Sequence, residues 1–165
     1  MTRTLILMRH AKSGWDNPEL DDYERPLNER GQISARRMGH WLRTRGHVPE
    51  VAVSSSSQRT RETFAGLGFD CEVAFSVQLY HARAHTMLAA LTVLTAKTVL
   101  MIGHNPGIAD FAQLVVSRSP SHPKFEAYPS CATLVVTFEA EHWRSITWGQ
   151  GTAIDFAVPR ELADP

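Results

Sequence analysis

The sequence predicts an α/β fold, with helices layered on a mainly parallel sheet, and three observations carry that prediction. Short apolar runs ended by polar residues recur at 4–8 (TLILM), 51–54 (VAVS) and 97–102 (KTVLMI), the pattern of strands buried on both faces. Segments with apolar residues at helical spacing separate them. Such alternation favours parallel strands joined by helical crossovers. The chain also has no internal repeat, low-complexity tract or linker, so its 165 residues read as a single domain over 1–165.

The elements follow in order. Thr4 to Met8 is the first strand, and the turn-forming residues Ser13, Gly14, Asp16, Asn17 and Pro18 end it. Residues 21–27 read as loop. Asn28 can cap a helix running to about Arg45, with Gly46 as its stop and Ala35, Met38, Trp41 and Leu42 as its apolar stripe. Val51 to Ser54 is the second strand; Ser54 to Ser57 follow, and then a helix carrying Arg59, Arg61 and Phe64. Glu72 to Phe75 suits an edge strand. Met87, Leu88, Leu91 and Leu94 predict a helix over 85–94. Lys97 to Ile102 is a further buried strand, and a helix over 106–116 places Ile108, Phe111, Ala112 and Val115 on one face. Residues 132–138 and 142–148 read as a terminal pair of strands with antiparallel pairing, and the tail beyond Gly151 as loop.

Composition narrows the function. Apolar residues make up 43% and charged residues 21%, ordinary values for a globular chain that folds without disulfide or metal. Seventeen basic residues balance seventeen acidic ones, which gives no global electrostatic case for nucleic acid or an anionic membrane. Cys71 and Cys131 fit neither a zinc motif nor a disulfide framework and read as reduced, structural thiols. No apolar stretch is long enough to span a membrane, and Arg9 and His10 interrupt the N-terminal apolar run too early for a signal peptide. The expectation is a cytoplasmic protein.

The residues that carry chemistry fall at equivalent places. Arg9-His10 follows the first strand, Arg59 lies in the first turn of the helix after the second, and Gly103-His104-Asn105-Pro106 joins a strand to a helix. In open α/β sheets, ligands bind beyond the carboxyl ends of the strands, so all three face one crevice. Asn105 suits an N-cap and Pro106 the first helical position, which puts His104 beside a helix start that favours an anion. Two arginines and two histidines converging there describe a phosphate pocket. Neutral imidazole is a competent nucleophile toward phosphorus. His10 would attack with one ring nitrogen while a backbone carbonyl holds the other N–H, Arg9 and Arg59 would clamp the oxygens, and a protonated His104 would stabilise the phosphoryl group in flight. No HxH or HExxH spacing occurs, and paired arginines repel a cation, so neither metal nor cofactor is expected.

Taken together, LILMRHAKS at 5–13, RPLNERG at 25–31, SSSSQRTRET at 54–63 and GHNPG at 103–107 resemble the histidine phosphatase superfamily, the phosphoglycerate mutase-like fold. The short chain and the RHAKS form look most like its SixA-type phosphohistidine phosphatases. The resemblance spans about residues 4–150. It implies a three-layer α/β/α sandwich, His10 as the phosphorylated nucleophile, and Arg9, Arg59 and His104 as the rest of the phosphate pocket. It also implies an open site without long insertions, suited to a phosphorylated side chain of another protein. Two departures stand out: His81, in LYHARA, takes the place where many members carry an acidic proton donor, and Asp16 stands where mutase-like members have asparagine. The general acid is thus left between His81, a loop carboxylate and none.

Other residues have competing readings. Ser13 either donates to phosphate or stabilises a turn; His81 is an acid, a substrate contact or a satisfied polar group; Asp16, Asp22 and Glu24 read as solvated or loop-pinning carboxylates; Arg61 as a solvated face. His40, His47, His122 and His142 read as surface residues. The expected partner is a phosphorylated protein or a small phosphorylated molecule. The alternatives to a protein phosphohistidine phosphatase are a small-molecule phosphomonoesterase and a phosphate-binding module without turnover. The oligomeric state is not encoded legibly.

Overall fold

A computed structural model describes residues 1–165. It contains six strands, β1 (Thr2–Arg9), β2 (Val51–Ser55), β3 (Glu72–Ser76), β4 (Thr98–Gly103), β5 (Thr133–Glu139) and β6 (Thr152–Ala157). Four helices accompany them, α1 (Glu29–Thr44), α2 (Gln58–Leu67), α3 (Ala84–Leu91) and α4 (Gly107–Val115). The strands form one sheet in the order β3-β2-β4-β1-β5-β6. β3, β2, β4 and β1 pair in parallel, whereas β5 runs antiparallel to both β1 and β6.

Alternation along the strands sorts the core into two layers. Leu5, Leu7, Val99 and Met101 point to one face and pack with Met87 and Leu91 of α3 and with Ile108, Phe111 and Val115 of α4. Ile6, Met8, Leu100 and Ile102 point to the other and pack with Ala35, Met38 and Leu42 of α1 and Leu67 of α2. The expected three-layer α/β/α sandwich is therefore observed, with β1 and β4 buried on both faces. Asn28 caps α1 as expected, its side chain accepting from the Gly31 N–H at 2.9 Å. No helix is long and apolar enough to cross a membrane.

Three expectations need correction. The segment 142–148 is not a strand. Trp143 turns into the core, its indole N–H donating to the Ala96 carbonyl at 2.6 Å, and a short 3-10 turn at Trp143–Ser145 closes around it. Burying that one large ring outweighs strand propensity. The last strand is instead β6, in the stretch read as a loop-like tail. There Gly151 lies so close to β5 and α4 that a Cβ would sit 2.5 Å from Val136 and 2.8 Å from the Val115 carbonyl. Finally, α4 starts at Gly107 with Pro106 at its N-cap, and Asn105 does not cap it. The Asn105 amide donates instead to the carbonyls of Ala127 and Tyr128, at 3.0 and 3.1 Å.

Gly107 fixes where α4 meets the segment after β3. A Cβ there would lie 1.8 Å from the Ala82 carbonyl oxygen. Gly107→Ala should therefore push the His81–Ala82 segment outward and cost about 1–3 kcal/mol of stability. Thermal unfolding checks this; an unchanged midpoint would show that the backbone there yields freely.

Candidate active site

The carboxyl ends of β1, β2 and β4 lie side by side at the sheet centre, and each releases its site residues at once. β1 ends at Arg9 and hands over to His10; β4 ends at Gly103 and hands over to His104; β2 ends at Ser55, two residues before the N-cap of α2. The His10 N–H donates to the Gly103 carbonyl at 3.0 Å, which ties the first two together. α2 holds the His10 loop from the other side: the Thr63 hydroxyl donates to the Arg59 carbonyl at 2.7 Å and accepts from the Ala11 N–H at 2.9 Å.

Arg9, His10, Arg59 and His104 line a cleft of about 220 Å³ together with Lys12, Ser13, Asp22, Arg25, His81 and Asn105. Every residue proposed from the sequence for the site is thus brought to one place. Four cations, Arg9, Lys12, Arg25 and Arg59, face it against the single carboxylate of Asp22, so the cleft favours an anion. The His10 and His104 rings are 5.3 Å apart.

Hydrogen bonding sets both tautomers. His10 Nδ1 lies 2.7 Å from the Ala11 carbonyl, which can only accept, so Nδ1 carries the proton and Nε2 keeps its lone pair. For His104 the constraint comes from Arg59, whose Nη2 can only donate and sits 3.3 Å from His104 Nδ1. His104 Nε2 therefore carries the proton and donates to the Ser55 hydroxyl at 2.8 Å. Burial, aided by Arg59, Arg9 and Arg25, lowers His10 from 6.5 to about 3 despite its bond to Ala11. Burial, with the Arg59 guanidinium beside it, lowers His104 to about 2. Both rings are neutral at physiological pH. The expectation of a protonated His104 is thereby corrected: its nitrogen facing Arg59 is an acceptor, and a second proton would break that contact.

Asp22 is the residue that sequence reasoning undervalued. One of its carboxylate oxygens accepts from Arg59 at 2.9 Å, from the Tyr80 hydroxyl at 2.5 Å and from His81 Nε2 at 3.0 Å; the other accepts from Arg25. Burial alone would raise its pKa, but the bonds from Tyr80, His81 and Arg59 and the charge of Arg59 hold it well below the usual carboxylate range. Its loop-pinning role is real, and what it pins is Arg59. Arg25 and Tyr80 were also missed as site residues, though both fall inside segments, RPLNERG and LYHARA, that stood out in the sequence. Arg25 is buried, with its guanidinium carbon 3.5 Å from the centre of the exposed Trp15 ring. Arg61 bonds the Ser56 carbonyl and lies against Phe75, outside the cleft. Asp16 and Glu24 are exposed and do not line it.

The neutral histidines make stability acid-sensitive. An unfolded chain protonates histidine near 6.5, whereas the folded one resists until about 3 for His10 and about 2 for His104. Their contribution is full above pH 6.5 and is lost as pH falls from there toward 3, at up to roughly 1 kcal/mol per pH unit for each ring. Asp22, whose pKa is lowered, adds a loss in the same direction below its unfolded value of 3.8. Thermal midpoints should drop steadily with acidification, and the His10→Asn, His104→Gln pair should flatten that slope. A midpoint independent of pH across the window would contradict the buried neutral state.

Comparison with known proteins agrees with this fold. The sequence model of the histidine phosphatase superfamily (branch 1) matches residues 5–79. An uncharacterized protein of Mycobacterium tuberculosis is 29% identical over 160 residues, covering 93% of this chain and 100% of its own. A structure from Nakamurella multipartitia, provisionally assigned as a phosphohistidine phosphatase SixA, superposes with TM-score 0.83 at 29% identity, covering 96% of this chain and 97% of the other. A second, from Agrobacterium tumefaciens and assigned in the same provisional way, gives TM-score 0.77 at 25% identity over 95% and 98% of the two chains.

Proposed function

Since this chain belongs to the histidine phosphatase superfamily, we propose that it is a phosphatase acting on protein phosphohistidine through a phosphorylated His10. The observation that carries the proposal is the state of that ring. It is neutral, its Nδ1–H is held by the Ala11 carbonyl, and its free Nε2 lines a cleft of cationic side chains. Nε2 attacks phosphorus, the new N–P bond forms as the substrate imidazole N–P bond breaks, and the imidazole leaves with a proton. Water then attacks the phosphorylated His10, which releases inorganic phosphate and restores the neutral ring. The guanidinium groups of Arg9, Arg25 and Arg59 stabilise charge on the non-bridging oxygens. His104 orients Arg59 by accepting from its guanidinium at Nδ1.

The choice of substrate rests on the proton inventory. Asp22 stays ionised, so it has no proton to give, and His81 commits its Nε2–H to Asp22. A phosphohistidine tolerates that, because its leaving imidazole can be protonated beforehand, whereas an alkoxide leaving group needs an acid in the transition state. A substrate panel tests the reading. A phosphohistidine peptide should exceed a phosphoserine peptide and a sugar phosphate in kcat/KM by on the order of a hundredfold, the usual worth of a missing general acid. Addition of a chelator should change nothing. Preference for the sugar phosphate would overturn the substrate assignment, and loss of activity with chelator would overturn the metal-independent mechanism.

A further inference from the structure

Next to the phosphoryl cleft lies a larger groove of about 540 Å³ that the reaction does not use. Five cations line it, Lys12, Arg30, Arg37, Lys124 and Arg160, and no carboxylate does. Asp164 pairs with Arg37 at 2.7 Å; the other four make no ion pair. In a chain of zero formal charge this is a strongly uneven distribution. Ile33 of α1 and buried Val158 supply its apolar lining.

The groove is continuous with the cleft. Lys12 and Ser130 line both. The segment carrying Ser130 is fixed to the site, because the Cys131 N–H donates to the His10 carbonyl at 2.9 Å. α1 approaches Lys12 closely, with a Cβ at Gly31 reaching 2.0 Å from the Lys12 carbonyl. Arg30, Ile33, Ser34 and Arg37 recur along one face of α1 and form one wall.

We propose that this groove docks an acidic segment next to the phosphorylated residue of the protein substrate, an inference that rests on the phosphatase reading above. A lone phosphate would leave most of the volume empty, while a peptide rising about 3.3 Å per residue runs naturally from the cleft across Lys12 and Ser130. Carboxylates meet the unpaired cations, and an aliphatic side chain meets Ile33 and Val158. Single-stranded nucleic acid fits less well, since no aromatic side chain lines the groove to stack on a base.

The test compares phosphohistidine peptides that differ only in a flanking run of aspartates or asparagines, with p-nitrophenyl phosphate as a substrate too small to reach the groove. The wild-type enzyme should favour the acidic peptide on the order of tenfold in kcat/KM, through KM, with the preference shrinking as salt is added. The R30E/K124E variant should lose the preference while turning over the aryl phosphate within about twofold of wild type, as exposed charges outside the cleft have little effect on the core chemistry. K124Q alone, a milder change, should reduce the preference partway. Equal rates on the two peptides, or a preference that survives R30E/K124E, overturns the docking groove. An oligonucleotide that competes better than an aspartate-rich peptide overturns the peptide assignment. A wild-type enzyme that turns over neither the aryl phosphate nor any peptide rejects the phosphatase reading itself.

Discussion

His10→Ala should abolish turnover, with kcat/KM falling about ten-thousand-fold or more, as expected when an enzyme loses its nucleophile. The wild-type protein, quenched during reaction with a phosphodonor, should carry phosphate in a bond that acid cleaves and alkali spares. That lability marks a phosphorus–nitrogen bond, and the variant should not acquire it. The fold should survive the change, because the His10 side chain makes one hydrogen bond, to the carbonyl next to it. Its loss also removes one of the two buried neutral rings, so the variant should resist acid better than wild type between pH 6.5 and about 3. Acid stability is a readout independent of activity. Phosphate attached through serine, or a variant that keeps its activity, would reject His10 as the nucleophile.

Arg59 is expected to show the second largest effect, and for two reasons at once. It is 1% exposed, and its guanidinium bonds the Asp22 carbonyl at 2.6 Å, the Asp22 carboxylate at 2.9 Å and His104 at 3.3 Å. A lysine keeps the charge but places one ammonium where a planar fork spans three partners. Arg59→Lys should therefore lower kcat/KM by about a hundredfold to a thousandfold, the range for removing one preorganised charge donor, and should weaken vanadate binding in parallel. Arg59→Ala should do both more severely and also lower stability, because it empties a fully buried position and takes from half-buried Asp22 one of its two arginine partners. Asp22→Asn probes the same pair from the other side: Arg59 keeps its charge but loses its anchor, so vanadate affinity should fall while His10 stays intact. If Arg59→Lys retains activity within threefold of wild type, the three-partner geometry is irrelevant to catalysis.

The site was legible in the sequence to the extent that each residue is delivered by a local signal. Arg9-His10 and His104 directly follow buried strands, so their place at the sheet's carboxyl edge depends only on strand direction. Arg59 follows an N-cap serine, and Ser57 does cap α2. Asp22 carried no such signal. It sits in a loop with no periodicity, among other loop carboxylates, and becomes central only because the turn after β3 brings Tyr80 and His81 to it from 58 and 59 residues away. Trp143 misled for a related reason: an apolar residue at alternating spacing looks like strand until the core offers its ring a place.

By itself the sequence determined the layered α/β architecture, the buried parallel strands, the cap of α1, and which histidines and arginines gather at the carboxyl edge of the sheet. Those follow from side-chain periodicity and short-range hydrogen bonding, which reach only a few positions along the chain. The tertiary structure alone decided the histidine tautomers, the ionised state of Asp22, the last strand, and the basic groove beside the cleft. Each of these depends on burial or on charges meeting across long chain separations. Desolvation and Coulomb energy act through space, and the order of residues along the chain does not record those distances.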